Sequence, residues 1–221
     1  MTKTDVLERI TEIGIVPVVR ADSASQALAL VDAIRAGGVP ILEITMTVPG
    51  AVKVIELLAR KHGTDVLLGA GTVIDPDTAR QCIEAGAQFI VGPSLSLTVI
   101  EACQRLSTAV CPGALTPTEV VTAWQAGADL VKVFPCSAMG GSKYIKALKA
   151  PLPQIPLMPT GGVTLETAAD FIKAGAVALG IGADLVDLKA IANGEPEKIS
   201  RAAAAYAEVV RTARRIAVAA K

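Results

Sequence analysis

Eight short apolar runs, separated by helical patterns, recur along this 221-residue chain. Their mean spacing of about 28 residues is close to the length of one strand plus one helix. Eight such units predict a (β/α)8 TIM barrel of the α/β class, formed by residues 1–221 as a single domain. The predicted strands are Ile15–Arg20, Ile41–Met46, Val66–Ala70, Phe89–Gly92, Ala109–Pro112, Leu130–Phe134, Leu157–Pro159 and Val177–Gly180.

Helix start and stop signals lie between these runs. Residues that favour helix N-termini are Ser23, Asp75-Pro76, Thr116-Pro117 and Thr164. The helices predicted after them are Ser25–Ala36, Asp77–Ala85, Thr118–Ala126 and Leu165–Ala174, and a last Ala-rich helix is predicted over Glu197–Val218. Three Ala-Gly-Ala triplets place a glycine where a helix can end before the next strand, at Gly86, Gly127 and Gly175.

Composition narrows the class of function. Apolar residues make up 52% of the chain, which excludes a disordered protein, and acidic and basic residues balance at 21 each. The balance leaves no basic face for a nucleic acid, so a small-molecule partner is expected. No apolar run reaches the length of a membrane span and the first residues lack a signal-peptide core, so we expect a cytoplasmic protein that does not bind membranes.

Cysteine and histidine usage predicts neither a disulfide framework nor a metal site. The four cysteines are widely spaced without a Cys-x-x-Cys pair, and His62 is the single imidazole. We expect the cysteines to be small core residues and His62 to be a solvated residue at a helix C-terminus. No metal is therefore expected.

Lys132 lies inside the sixth predicted strand, where alternation directs its side chain to the same face as Leu130 and Phe134. A lysine that faces a barrel interior is unusual, because lysine is almost never fully buried without a partner. Burial disfavours the ammonium form and favours the neutral amine that a Schiff-base nucleophile needs. The alternative is a structural ion pair with a buried carboxylate.

Glu43 is the natural companion of Lys132. Alternation along the second predicted strand places Glu43, Thr45 and Thr47 on one face, opposite an apolar face that would meet the helices. A carboxylate on the inner face is either the ion-pair partner of Lys132 or a general acid/base that moves protons for it. The residues alone leave both roles open.

Anion-binding features occur at other strand ends. Arg20 ends the first predicted strand and suits a carboxylate or a phosphate, although a rim ion pair with Asp22 is the alternative. Thr160-Gly161-Gly162 and Gly180-Ile181-Gly182 end the seventh and eighth strands, where barrels of this kind usually bind phosphate.

Taken in order, these segments resemble the 2-keto-3-deoxy-6-phosphogluconate (KDPG) aldolase and 4-hydroxy-2-oxoglutarate (KHG) aldolase family. The resemblance extends over nearly the whole chain, and it is specific because the motifs follow one another at different strand ends. They are Val18-Val19-Arg20, Glu43-Ile44-Thr45, Gly69-Ala70-Gly71-Thr72-Val73, Gly92-Pro93, Cys111-Pro112-Gly113, Val131-Lys132-Val133-Phe134-Pro135 and Pro159-Thr160-Gly161-Gly162-Val163. The resemblance implies a homotrimeric class I aldolase without metal or other cofactor, which cleaves 2-keto-3-deoxy sugar acids to pyruvate and an aldehyde.

The resemblance also implies roles by position. Lys132 corresponds to the lysine that forms the imine, and Glu43 to the general acid/base. The substrate-binding positions are Arg20, Thr47, Thr72, Pro93, Phe134 and Thr160. The phosphate-binding positions are Gly161, Gly162, Gly182 and Ala183.

Two positions depart from the family pattern. Thr47 stands where many members have Arg, and Ala183 stands where many have Ser. Both changes remove a donor to anions, which shifts carboxylate binding onto Arg20 and Thr72 and weakens the expected preference for phosphate.

The expected reaction is cleavage of KDPG to pyruvate and glyceraldehyde 3-phosphate, with 4-hydroxy-2-oxoglutarate as a second substrate. One alternative is an aldolase for 2-keto-3-deoxy-6-phosphogalactonate or for an unphosphorylated 2-keto-3-deoxy acid. A remote alternative is a catalytically silent barrel retained for assembly.

Overall fold

The computed structural model describes residues 1–219, with side chains described to residue 216. The predicted domain therefore includes two residues, 220 and 221, that lie outside the described part of the chain. The strands are β1 (Ile15–Val19), β2 (Ile41–Thr45), β3 (Leu67–Gly71), β4 (Phe89–Val91), β5 (Ala109–Cys111), β6 (Gly113–Ala114), β7 (Val131–Val133), β8 (Leu157–Pro159) and β9 (Leu179–Ile181).

Helices follow the strands and surround them. They are α1 (Lys3–Ile13), α2 (Ala24–Ala36), α3 (Ala51–His62), α4 (Pro76–Glu84), α5 (Leu97–Arg105), α6 (Pro117–Gln125), α7 (Ser142–Lys149), α8 (Leu165–Lys173), α9 (Leu188–Ala192) and α10 (Pro196–Ala219), with a short 3-10 helix over Cys136–Met139.

The strands form one parallel barrel. The hydrogen-bonded orders are β5-β4-β3-β2-β1-β9 and β6-β7-β8, and a parallel bridge between Thr160 and Gly180 joins the two groups. Segments β5 and β6 lie on either side of Pro112 and pair with β4 and β7 respectively, so they form a single barrel strand. The barrel therefore has eight strands, and the predicted (β/α)8 fold is confirmed.

Strand ends differ from the prediction by one or two residues. Arg20, Met46, Gly92 and Phe134 lie just beyond their strands, because the backbone leaves the ladder at the carboxyl end of the barrel. The last strand begins at Leu179 instead of Val177.

The predicted helix caps are confirmed. The side chains of Ser23, Asp75 and Thr116 each accept a hydrogen bond from a backbone amide in the first turn, and the Thr164 amide at the start of α8 donates to the Thr167 hydroxyl. Gly86, Gly127 and Gly175 have φ angles of 110°, 93° and 100°, the region that glycine adopts without strain. Local chain chemistry thus sets these helix boundaries.

Helix α1 covers the amino end of the barrel. Its Leu7 and Ile10 pack with Phe89, Leu130 and Met158 around a small apolar cavity of about 10 Å³. An ion pair of 2.8 Å between Lys3 and Asp129 attaches the helix to the barrel. This end is closed, so the opening lies at the carboxyl ends of the strands.

Two expectations about single residues have different outcomes. All four cysteines are free and buried, as predicted. The prediction that His62 is solvated is wrong, because its side chain is 7% exposed and Nε2 lies 3.5 Å from Asp32 Oδ1. Burial lowers the pKa of His62.

In the part of the chain that the structure describes, no helix has the length and apolarity needed to cross a membrane.

Candidate active site

Lys132 and Glu43 meet inside the barrel. Lys132 comes from β7 and Glu43 from β2, and Lys132 Nζ lies 3.7 Å from Glu43 Oε1. Lys132 is 4% exposed and Glu43 is completely buried. Neither carboxylate oxygen of Glu43 accepts a hydrogen bond from a described residue. Such a pair gives little net stability, because its desolvation offsets the attraction, so its presence favours a functional role.

Glycines on the inner face of the barrel make room for these groups. A Cβ on Gly71 would lie 2.5 Å from Glu43 Oε1, and a Cβ on Gly180 would collide with the Thr160 hydroxyl. Glu43 pairs with Gly69 in the register of β2 and β3, so its carboxylate extends towards the mouth and lies beside the glycine two residues further on. The absence of a side chain at Gly71 thus leaves the space that the buried Glu43 carboxylate occupies.

Burial dominates the electrostatics of Glu43. Loss of hydration raises the pKa of the Glu43 carboxyl above its ordinary value, while the positive charges of Lys132 and Arg20 act in the opposite direction. A carboxyl with a raised pKa exchanges protons nearer to neutral pH than an exposed glutamate does. This property suits a general acid/base.

Phe134 connects the buried pair to an open cavity. Lys132 Nζ lies 5.4 Å from the centroid of the Phe134 ring. Phe134 also lines a cavity of about 240 Å³ at the carboxyl ends of β1, β8 and β9. Seven of the predicted site residues line this cavity: Arg20, Phe134, Thr160, Gly161, Gly162, Gly182 and Ala183.

Arg20 and Thr160 supply polar side chains to the cavity. Arg20 is exposed and forms no ion pair with Asp22 or with any other described residue. Its Nη1 lies 4.0 Å from where a Cβ on Gly182 would be. The Thr160 hydroxyl is buried and has no partner among the described groups. The guanidinium is thus available to a bound anion, and the Thr160 hydroxyl keeps a hydrogen-bonding capacity that no described group uses.

Backbone amides complete the cavity wall. Within residues 1–219, the amides of Gly162, Val163, Gly182, Ala183 and Asp184 donate no hydrogen bond to another residue, and we call these five amides the anion corner. The carbonyl of Gly182 accepts from Leu185 and Val186, and that of Gly162 accepts from the Thr167 hydroxyl. Because these carbonyls are engaged elsewhere, the wall offers donors to an anion.

Three predicted substrate-binding residues lie outside this wall. Thr47, Thr72 and Pro93 follow β2, β3 and β4 at the mouth of the barrel, and none of them lines the cavity. The Thr47 hydroxyl is 2.6 Å from the Thr45 hydroxyl, which donates to the carbonyl of Val19. Thr72 directly follows Gly71 and has a φ of 61°, a strained conformation for threonine. Their roles in binding remain predictions.

Sequence reasoning missed several residues of the cavity. Asp184, Val163 and Thr164 also line it, and Asp184 accepts a hydrogen bond from the hydroxyl of Tyr206 on α10. The glycine-containing segments Thr160-Gly161-Gly162 and Gly180-Ile181-Gly182 indicate the position of this wall in the sequence. The contact between Asp184 and Tyr206 has no local sequence signal.

Comparisons with known proteins agree with this geometry. A model of the KDPG and KHG aldolase family matches residues 6–202. Over 200 residues the chain is 34% identical to 2-dehydro-3-deoxy-phosphogluconate aldolase of Haemophilus influenzae, a match that covers 90% of this chain and 94% of that protein. Over 204 residues it is 37% identical to 2-dehydro-3-deoxy-6-phosphogalactonate aldolase of Escherichia coli, covering 92% and 97%.

A solved structure is also similar. KDPG aldolase of Legionella pneumophila, with pyruvate captured at low pH as a covalent carbinolamine intermediate, matches with a TM-score of 0.85 at 29% identity. The match covers 91% of this chain and 97% of that one. The barrel and these likenesses define a lyase of the aldolase type. The chain belongs to the KDPG and KHG aldolase family.

Replacement of Gly71 by alanine tests the cleft around Glu43. The new methyl group would overlap Glu43 Oε1, so the carboxylate must move, and we expect the rate of aldol cleavage to fall by about 10²-fold, the scale of a 1 Å misplacement. Steady-state kinetics and thermal unfolding measure the two effects.

Gly69→Ala is the matched control. It adds the same methyl group on the same strand face, but this methyl would meet the ring of Phe89 instead of the carboxylate. Equal activity losses in both variants would show that general packing damage, and not displacement of Glu43, is responsible.

Proposed function

We propose that this chain is a metal-independent class I aldolase in which Lys132 forms the covalent intermediate. The observation that carries the proposal is the buried contact of 3.7 Å between Lys132 Nζ and Glu43 Oε1 inside the barrel. It is supported by membership of the family and by the carbinolamine of pyruvate in the Legionella relative.

The chemistry follows from the two side chains. The Lys132 amine attacks the C2 ketone of the substrate, water leaves, and a protonated imine forms. The imine accepts the electron pair of the C3–C4 bond as that bond breaks, while Glu43, directly or through water, takes the proton of the C4 hydroxyl. The aldehyde is released, Glu43 returns a proton to the enamine, and hydrolysis frees pyruvate. The imine is the electron sink, so the scheme requires no metal.

The substrate we propose is KDPG, cleaved to pyruvate and glyceraldehyde 3-phosphate, with 4-hydroxy-2-oxoglutarate as a second substrate that gives pyruvate and glyoxylate. The anion corner supports a phosphorylated substrate, because backbone amides that lack other partners suit phosphate oxygens. Arg20 and Thr160 line the same cavity, and the exposed Arg20 guanidinium can pair with the carboxylate of the substrate.

A second candidate substrate is 2-keto-3-deoxy-6-phosphogalactonate. The 37% identity to the Escherichia coli enzyme named for that compound favours it. The two sugar acids are epimers, so both would occupy the same imine site and the same anion corner. Comparison of kcat/KM for the two epimers distinguishes these candidates.

We also propose that the enzyme is a cytoplasmic homotrimer. Large apolar side chains are exposed at several places, including Ile74, Leu97 and Trp124, which is consistent with association of copies. Light scattering at micromolar concentration should give three times the mass of one chain. A monomer would contradict this part of the proposal.

Borohydride trapping tests the role of Lys132. Reduction in the presence of pyruvate should convert the imine to a stable secondary amine on Lys132 and abolish activity. Peptide mass spectrometry locates the modification, and Lys132→Arg should remain unlabelled. Lys149→Arg is the control, because Lys149 donates to backbone carbonyls outside the barrel. A label on Lys149, or activity lost to a chelator, would refute the class I assignment.

Glu43→Gln tests the general acid/base. Trapping with pyruvate should still detect the imine, whereas kcat should fall on the order of 10²-fold or more, because glutamine cannot carry the proton. Glu101→Gln, at an exposed position on α5, is the control. Wild-type turnover in Glu43→Gln would show that Glu43 is only a structural counter-charge.

Ala183→Ser tests the preference for phosphate. A serine hydroxyl would add one donor beside the anion corner, so kcat/KM for phosphorylated over unphosphorylated keto acid should rise about tenfold, the scale of a hydrogen bond to a charged group. Ala150→Ser, at an exposed position after α7, controls for the substitution itself. An unchanged ratio would show that position 183 lies outside the phosphate site.

A further inference from the structure

Tyr206 joins α10 to both glycine turns of the cavity. Among the side chains of residues 1–216, it is the largest that is fully buried. Its hydroxyl donates a hydrogen bond to Asp184 Oδ2 and lies 3.5 Å from the carbonyl oxygen of Val163. A phenol has one proton to donate, and the carboxylate is the stronger acceptor, so the proton belongs to the bond with Asp184.

Burial and the neighbouring carboxylate keep this hydroxyl protonated. Desolvation raises the pKa of Tyr206, and the hydrogen bond and charge of Asp184 raise it further. Tyr206 is therefore protonated at neutral pH and can donate to Asp184. This hydrogen bond holds one oxygen of the Asp184 carboxylate.

Asp184 presents a problem for an anion site. Asp184 belongs to the cavity wall, and its own amide and those of Gly182 and Ala183 have no partner in the described chain. Aspartate carboxylates readily accept hydrogen bonds from nearby backbone amides. An unrestrained Asp184 could therefore occupy the donors that a phosphate needs and bring a negative charge to the same place.

We propose that Tyr206 is a positioning residue that holds the Asp184 carboxylate away from the anion corner, and so keeps this corner open for the phosphate group of the substrate. The inference rests on the proposed function and extends it from the catalytic pair to a residue on the last helix. Tyr206 lies outside the set of residues that line the cavity, so it acts through Asp184.

Arg20 is a second group that a released Asp184 carboxylate would block. It is the basic side chain in the wall of this cavity, and it forms no ion pair with a described residue. A released Asp184 carboxylate would also be attracted to the Arg20 guanidinium. Both movements reduce the affinity for phosphate, and neither affects the Lys132 amine.

Tyr206→Phe removes the hydroxyl and retains the ring. Inorganic phosphate, titrated as an inhibitor of cleavage of an unphosphorylated keto acid, should bind about tenfold more weakly, the scale of a lost interaction with a charged group. KM for the phosphorylated substrate should rise with little change in kcat. Borohydride trapping of pyruvate reports the imine separately, so a failure of the proposed function would be recognised there.

Asp184→Asn separates positioning from general support of the fold. In the Tyr206→Phe background it should restore phosphate binding, because the freed side chain no longer carries a negative charge. As a single substitution it should leave phosphate binding at least as tight as in the wild type.

Three results would overturn the inference. They are unchanged phosphate binding in Tyr206→Phe, failure of Asp184→Asn to rescue that variant, and weaker phosphate binding in Asp184→Asn alone. The last result remains decisive if Tyr206→Phe does not fold.

Discussion

Burial of the Glu43 carboxyl is the constraint on which the rest of this structure depends. A carboxyl without hydrogen bonds inside a protein destabilises the fold unless a partner compensates, and Lys132 at 3.7 Å is the compensating charge. Each group makes the burial of the other tolerable. The barrel supplies rigid parallel strands that hold both groups in place, so their mutual orientation is set before a substrate binds.

Small residues on the inner face are what allow polar side chains at this depth. Gly69 leaves space for the ring of Phe89, Gly71 for Glu43 and Gly180 for Thr160. Large and small residues thus alternate between neighbouring strands, as in other filled barrels. In this chain a glycine makes room for the Phe89 ring near the closed end of the barrel. Glycines likewise make room near the open end for Glu43 and Thr160, whose side-chain oxygens have no hydrogen-bond partner in the described chain.

Most of the fold could be predicted because its signals are local. Apolar runs and capping residues such as Ser23 and Thr116 act within a few residues of the elements they define. Helices α3 and α7 lack this signal, because each begins at a glycine without a side-chain cap. The burial of His62 beside Asp32 and the contact of Tyr206 with Asp184 depend on elements distant in sequence, so no local pattern indicates them.

Helix α10 is hydrogen-bonded to the barrel at both the carboxyl ends and the amino ends of the strands. Near the mouth Tyr206 bonds to Asp184, and about two turns later Arg214 donates to the carbonyls of Glu12 and Val177, which lie beside the amino ends of β1 and β9. The helix therefore links the two ends of the barrel through hydrogen bonds. Truncation within α10 that removes Tyr206 or Arg214 would therefore loosen the wall of a cavity that neither side chain lines.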